Sequence, residues 1–368
     1  MHNAVIHINS KQLITNLTII RKQTNQAKLC LPVKANAYGH GLVAVSQIVE
    51  PFVDYIAVAC VDEGVKLRQN GITKPILVFG AFSEMQITDL INYNLEITLS
   101  SLFKARLLID YCIKMQKNAL VHIKVDTGMN RIGVRPENAK KLIDFVLEHK
   151  CIKLVGVYSH FASSNQAGDL FTMEQINKFK EITTYVKSQD HNIICHIANS
   201  GGVCNFPESY FDMVRPGIMV YGYLPNILPS NSPFNQIRPC FNLKSRIVYF
   251  KTVAKGQGIS YDHKYITTEQ TRVVTIPIGY GDGYRRSLSN IGEVIIHGHK
   301  YTISGTICMD MFMVDIGPHG HCNIDDEVVL IGTQGDQEIT LESIANKCNT
   351  ITYEILCDFN DRIPRIYY

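Results

Sequence analysis

Neither sign of charge dominates this chain: 36 Lys and Arg stand against 33 Asp and Glu, a formal net charge of +3 over 368 residues. That balance argues against a nucleic-acid or anionic-membrane binder, whose affinity comes from a basic patch. No window approaches the ~20 uninterrupted apolar residues that cross a bilayer. The N-terminus, MHNAVIHINSKQLITNL, lacks the basic segment and long apolar stretch of a signal peptide. Repetitive and one-signed runs are missing too, which excludes a collagen, a coiled coil or a disordered tail. The 11 cysteines are spread evenly and include no C-x-x-C pair. Such dispersal fits small buried hydrophobes in a reducing cytoplasm better than a disulfide framework or a zinc site. Pro318-His319-Gly320-His321-Cys322 comes nearest to a metal cluster, but no second ligand pair lies at finger-like spacing, so it reads as a loop and no metal is expected. These absences leave an enzyme-sized soluble protein with ample material for a buried core.

What is present is a rhythm. Strand candidates at 28–33, 54–59, 75–79, 95–99, 119–125, 152–158, 192–197 and 211–214 alternate with helical stretches near 41–50, 62–70, 83–92, 101–117, 136–149 and 172–189. A strand at 4–8 and a helix at 10–23 precede the series. Repeated strand–helix alternation predicts an α/β fold with an N-terminal (β/α)8 TIM-type barrel. A doubly wound open sheet is the alternative, because periodicity does not reveal strand order. Near residue 225 the rhythm breaks in LPNILPSNSPFNQIRP, which reads as a linker. Beyond it the pattern is mainly β, with one helix near 340–347 and a last strand near 352–357. The expected domains are 1–230 (barrel) and 231–368 (C-terminal, mainly β), with residues 1–10 available to pair with the second.

In a barrel, the loops after the strands build the active site, and the unusual residues fall there. Lys34 follows the first strand of the series; Lys124, Asp126 and Arg131 follow the fifth; His160 follows the sixth. Asn199, Ser200, Gly201 and Gly202 follow the seventh, and Arg215, Pro216, Gly217 and Ile218 follow the eighth. ANSGG and RPGI suit phosphate binding on backbone N–H groups, although a glycine turn capping a helix explains ANSGG equally well. A lysine on one strand facing a phosphate cradle on others suggests a Schiff-base lysine that holds a phosphorylated aldehyde cofactor.

The motifs VKANAYGHG, VDTGMNRIGV, SHFASS, ANSGG, RPGIMVYG, LKSRIV, GISYD, IGYGDGY, GTICMDMFMVDI and IPRIYY together resemble the alanine racemase family, in order and over essentially the whole chain. The resemblance implies a cytoplasmic isomerase that interconverts L- and D-alanine by a two-base mechanism and supplies D-alanine for peptidoglycan. It implies pyridoxal 5'-phosphate (PLP) bound as a covalent aldimine, and a head-to-tail homodimer in which each active site is completed by the partner's β domain. Lys34 corresponds to the lysine that carries the cofactor and acts as one base, and Tyr261 to the second base. Tyr38, Ser200, Gly217 and Ile218 correspond to the phosphate cradle, with Asn199 beside it. Arg215 corresponds to the partner of the pyridine nitrogen, and with His160 it supports the second base. Arg131 and the backbone N–H of Met309 correspond to the substrate-carboxylate site, and Tyr280 and Tyr353 to tyrosines that narrow the entrance. Lys124 matches a lysine carbamylated in many members, a change that replaces a cation with an anion facing Arg131.

Without the motifs, Tyr261 would be a half-exposed strand tyrosine, Met309 a core methionine and Arg131 a solvated loop charge. Gly281 stands where many members have Ala, and SSNQAGD after the histidine motif is less standard. A serine or broad-specificity racemase, or a decarboxylase of the same two-domain fold, is the nearest alternative, since a methyl against a hydroxymethyl is a small discrimination. A non-catalytic PLP carrier is the rival from another class; it would have no need of Tyr261.

Overall fold

The computed structural model describes residues 3–24 and 26–368. Its contacts separate into two units. One runs from Gln12 to Ala37 and from Gly41 to Pro239; the other joins the N-terminal segment through Lys11, residues 38–40, and everything from Cys240 on.

After β1 (Val5–Ile8) and the helix Ser10–Gln23, the first unit supplies eight strands: β2 (Lys28–Pro32), β3 (Tyr55–Val58), β4 (Ile76–Val78), β5 (Glu96–Leu99), β6 (Ala119–Lys124), β7 (Ile152–Tyr158), β8 (Ile194–His196) and β9 (Met213–Val214). They pair in parallel in sequence order from β2 to β8, and β9 returns to β2. The seam between β8 and β9 is bridged by Asp212 N–H to Cys195 O (3.0 Å) and Arg215 N–H to Ala198 O (2.8 Å). This is the expected (β/α)8 barrel. Its strands are continuous apolar runs because both of their faces are covered: Ile56, Ala57, Val58, Ile76, Leu77 and Val78 are all buried. The surrounding helices bury one stripe each, as Ala105, Leu108, Ile109 and Cys112 do in Leu102–Met115, where Ser101 caps the start by accepting from Lys104 N–H.

The second unit is mainly β. Its large sheet is built from β1 and from β10 (Phe241–Arg246), β15 (Glu293–Ile296), β16 (His299–Thr302), β18 (Glu327–Gln334), β19 (Gln337–Ile339) and β20 (Arg365–Tyr367). The order is β16–β15–β18–β10–β1–β20, with β19 on β18. β1 pairs antiparallel with β10 and parallel with β20. A three-stranded sheet, β11 (Tyr249–Val253), β14 (Thr271–Ile276) and β17 (Phe312–Asp315), and the short pair β12 (Gly258–Ile259) and β13 (Tyr265–Ile266) complete it.

Residues 352–357 read as a last strand, but Thr352–Asp358 is a helix, and the last strand is Arg365–Tyr367. β-Branched and aromatic residues in ITYEIL suggest a strand. The deciding contact lies outside the segment: Arg285 reaches Glu354 at 2.9 Å and Asp358 at 2.5 Å. Carboxylates four residues apart come within reach of one guanidinium on a helix, whereas on an extended strand they are about 13 Å apart.

Candidate active site

Lys34 lies just beyond β2 and opens a left-handed turn: Ala35, Asn36, Ala37 and Tyr38 have φ between 51° and 54°. A run of four such residues is strained, since each costs about 1–2 kcal/mol outside glycine. The surroundings hold it: Asn36 Oδ1 accepts from Leu42 N–H (2.7 Å), Asn36 O from Gly41 N–H (2.8 Å), and Glu63 from Ala35 N–H (2.8 Å). Strain fixed in this way concentrates at functional positions.

Lys124 is the last residue of β6 and only 5% exposed. Burial, then the Arg215 and Arg131 cations, push its ammonium down to about 7; Asp126 opposes them and Lys34 adds to them. The loop after β6 folds over Asp126, whose Oδ1 accepts from Gly128 and Asn130 N–H at 3.0 Å each, and it carries Arg131 on the exposed side. His160, two residues past β7, is held well below the usual imidazole range by burial, then by Arg215, Lys124, Arg131 and Lys34. It is therefore neutral near pH 7.

Arg215 follows β9 and is buried. Its Nη1 donates to His196 Nδ1 (2.5 Å), and its Nη2 donates to Ser159 O (2.7 Å) and Ile197 O (3.0 Å), with His160 Nδ1 at 3.3 Å. Burial lowers the guanidinium to about 10, so it remains cationic at neutral pH. Asn199 caps the helix Ser200–Asn205: its Oδ1 accepts from Gly202 N–H (2.9 Å) and from Ser164 Oγ (2.8 Å). Ser200 Oγ accepts from Gly217 N–H at 2.9 Å, which brings the ANSGG and RPGI loops together beside Ile218. A Cβ at Gly201 would lie 2.5 Å from Ser164 Oγ, and one at Gly202 would lie 2.8 Å from Phe161. Both glycines therefore admit the loop after β7, with Phe161 and Ser164, against the start of this helix.

The barrel rim thus gathers Lys34, Lys124, Arg131 and Arg215, opposed at Lys124 by the Asp126 carboxylate. Such an excess of cations calls for an anionic ligand. A primary amine among them fits one that also carries an aldehyde.

The remaining candidates belong to the second unit. Tyr38 is buried, its ring centroid 6.1 Å from that of Tyr353, and burial followed by Tyr353 and Cys357 raises its hydroxyl, so it stays protonated. Tyr261 is 66% exposed and sits in a tight turn with Ser260, Asp262 and His263 at positive φ. Thr306 Oγ1 donates to Tyr261 O (3.1 Å), and Ser260 Oγ donates to Thr306 O (2.5 Å). Tyr280 and Met309 are both exposed and share a ladder: Tyr280 N–H donates to Cys308 O (3.1 Å) and Gly281 N–H to Met309 O (2.8 Å). Arg362 pins the two segments, reaching Asp282 (3.3 Å) and Asp310 (2.8 Å). It fills the space at Gly281, where a Cβ would lie 2.6 Å from its Nη1. Met309 is thereby a surface residue on a braced loop, not the core methionine its strand-like setting suggests.

Several residues around these sites escape a sequence reading: His196, which accepts from Arg215, His122 and Glu96 behind it, and Arg362. A polar residue inside an apolar strand run was the available signal for the first three.

A parallel barrel with a lysine after its first strand, a buried arginine after its last, and an accompanying β unit defines a two-domain barrel enzyme. Residues 8–225 match the family model for the alanine racemase N-terminal domain, and residues 240–367 the C-terminal domain. The alanine racemase of Halothermothrix orenii is 42% identical over 93% of this chain and 90% of its own. The structure of alanine racemase from Clostridium difficile 630 has a TM-score of 0.93 at 36% identity and covers 100% of this chain and 96% of its own. A further structure of that enzyme, in complex with cycloserine, has a TM-score of 0.90 at 35% identity with the same coverage. The chain belongs to the alanine racemase family and is an isomerase.

Proposed function

We propose that the protein interconverts L- and D-alanine with PLP, using Lys34 and a tyrosine from a second copy as bases on opposite faces of the substrate. The observation that carries this reading is the set of cations on the barrel rim, Lys34, Lys124, Arg131 and Arg215, arranged around a neutral His160. PLP, when bound, supplies an electron sink that acidifies the substrate Cα–H.

The chain's own residues do the rest. Lys34 holds the cofactor covalently and moves a proton at Nζ. Tyr38, kept protonated by burial, donates to the phosphate together with Ser200 and the backbone N–H groups of Gly217 and Ile218, with Asn199 bracing that loop. Arg215, a fixed cation, would donate to the ring nitrogen and disfavour its protonation. Arg131 and the Met309 N–H orient the substrate carboxylate, and Tyr280 and Tyr353 narrow the approach. Lys124, carbamylated, would face Arg131 as an anion.

Tyr261 serves as the second base in the partner's site, in a head-to-tail homodimer. Its exposure, shared by Tyr280 and Met309 on one braced surface, suits residues that work against another chain. A phenol has an ordinary pKa of about 10 and needs help to hold the phenolate that accepts the proton; Arg215 would provide it as a cation and neutral His160 as a hydrogen-bond donor. The product would supply D-alanine for peptidoglycan in the cytoplasm.

The test is borohydride reduction of the PLP-loaded enzyme followed by peptide mapping, alongside exchange of the alanine α-hydrogen in D2O. The label should fall on Lys34, and Tyr261→Phe should impair abstraction from L-alanine more than from D-alanine. A label on another lysine overturns the assignment of Lys34. Faster turnover of serine than of alanine would point to the serine-racemase reading.

A further inference from the structure

Behind Arg215 the barrel interior holds a line of polar side chains that the reaction just described does not use. Glu96 opens β5, His122 lies in β6, and His196 ends β8; Glu96 is 4% exposed and neither histidine is exposed at all. His122 Nε2 lies 2.6 Å from Glu96 Oε2, His122 Nδ1 lies 3.1 Å from His196 Nε2, and His196 Nδ1 lies 2.5 Å from Arg215 Nη1.

Donor chemistry gives this line one direction. A guanidinium only donates, so His196 Nδ1 must accept. The proton of neutral His196 is then on Nε2, which donates to His122 Nδ1. His122 carries its own proton on Nε2 and donates it to Glu96. At the far end an ionised carboxylate only accepts, and the Tyr55 hydroxyl donates to it as well. Both histidines are thereby neutral Nε2–H tautomers, and Arg215 and Glu96 are opposite charges joined through them. Burial and the Arg215 cation, which hold the His196 imidazole well below its usual range, agree with this.

The backbone is shaped to seat the line. The β6–β7 register shifts between Val121 and His122, with Val121 opposite Leu154 and His122 opposite Gly156. The extra residue re-aims the side chains beyond it. Gly156 is open where His122 lies: a Cβ there would fall 2.4 Å from His122 Nδ1. Tyr158 stacks on His196 with centroids 4.9 Å apart and planes 2° from parallel, and its hydroxyl bonds Thr98 at 2.6 Å.

We propose that Glu96 is a positioning residue for the isomerisation: through the fixed tautomers of His122 and His196 it holds the Arg215 guanidinium in one orientation. The proposal rests on the reading of Arg215 as the partner of the cofactor ring. A glutamine in place of Glu96 could present its NH2 instead, which would invert both tautomers and set His196 Nδ1–H against Arg215, donor to donor. A carboxylate forbids that inversion.

Long-range 1H–15N correlation spectra of the whole chain, labelled at histidine and recorded at pH 7.5 with and without PLP, test the line directly. His122 and His196 should both be neutral with Nε2 protonated; an Nδ1–H tautomer or an imidazolium at either overturns the proposal. In the PLP-loaded enzyme, Glu96→Leu should lower kcat at least tenfold in both directions with KM for alanine within twofold, because the carboxylate site is elsewhere. Glu96→Gln should give mixed histidine tautomers and a smaller loss. A folded Glu96→Leu enzyme with kcat within twofold of the parent also overturns it, and if that variant does not fold, the spectra of the parent decide. Failure of the parent to take up PLP would strike the proposed function and with it the role of Glu96 in the isomerisation, and it is told apart from failure of the line itself by the spectra without PLP.

Discussion

Lys124 makes a sharp stability prediction because its ammonium is buried among cations. In the unfolded chain it takes an ordinary lysine value of about 10.4; in the fold it is pushed down to about 7. Between those values the unfolded state binds a proton that the native state has released, so this group makes stability rise with pH across that window. Worked through the linkage relation, folding a lysine with those two values costs about 4 kcal/mol at pH 7 and about 2 kcal/mol at pH 9, relative to one whose pKa does not change. Lys124→Met keeps the length and removes the charge. The stability of Lys124→Met relative to the parent should therefore be greater at pH 7 than at pH 9 by about 2 kcal/mol. Urea unfolding followed by circular dichroism in CO2-free buffers at the two pH values measures it, and other titrating groups cancel in the comparison. An identical difference at pH 7 and pH 9 would refute the desolvation argument. The lowered value has a chemical consequence too: at pH 8 roughly 90% of the amine is unprotonated. It can then add to CO2, forming an N–C bond and releasing one proton. Labelled bicarbonate should give a carbamate carbon signal in the parent and none in Lys124→Met.

Two further substitutions probe the supports of the site. Gly156→Ala would place a Cβ 2.4 Å from His122 Nδ1 and 2.8 Å from Ile194 O. Overpacking of this kind, with a displaced buried histidine, should cost about 2–5 kcal/mol and lower the denaturation midpoint; an unchanged midpoint means the ring can move aside. Arg285→Ala removes both ion pairs to the helix Thr352–Asp358. With partly exposed partners the loss should be about 1 kcal/mol, and hydrogen exchange should quicken in that helix, which carries Tyr353. Unchanged exchange there would leave the helix to its buried Ile355 and Leu356.

The parts of this protein legible in its sequence are those whose cause is local. Barrel strands buried on both faces must be largely apolar, and helices between them must carry one apolar stripe, so the alternation announced itself. Lys34, Asn199 and Arg215 stand out because they break such runs at strand ends. The helix Thr352–Asp358 was misread because what favours it is Arg285, 73 residues away from Asp358 in the chain. The polar line in the barrel is hidden for the same reason at greater scale. Glu96 and His122 are 26 residues apart, His122 and His196 are 74 apart, and His196 and Arg215 are 19 apart. Taken alone, each is a single polar residue in or just beyond an apolar strand, a position that costs free energy unless a partner is present. No single segment contains that partner. Only the closed barrel, with the register shift at His122 and the open space at Gly156, brings the four together, and the direction of their hydrogen bonds then follows from donor chemistry. A buried charge inside an otherwise apolar strand is therefore a prediction in its own right: the fold must provide an opposite charge or a chain of donors leading to one.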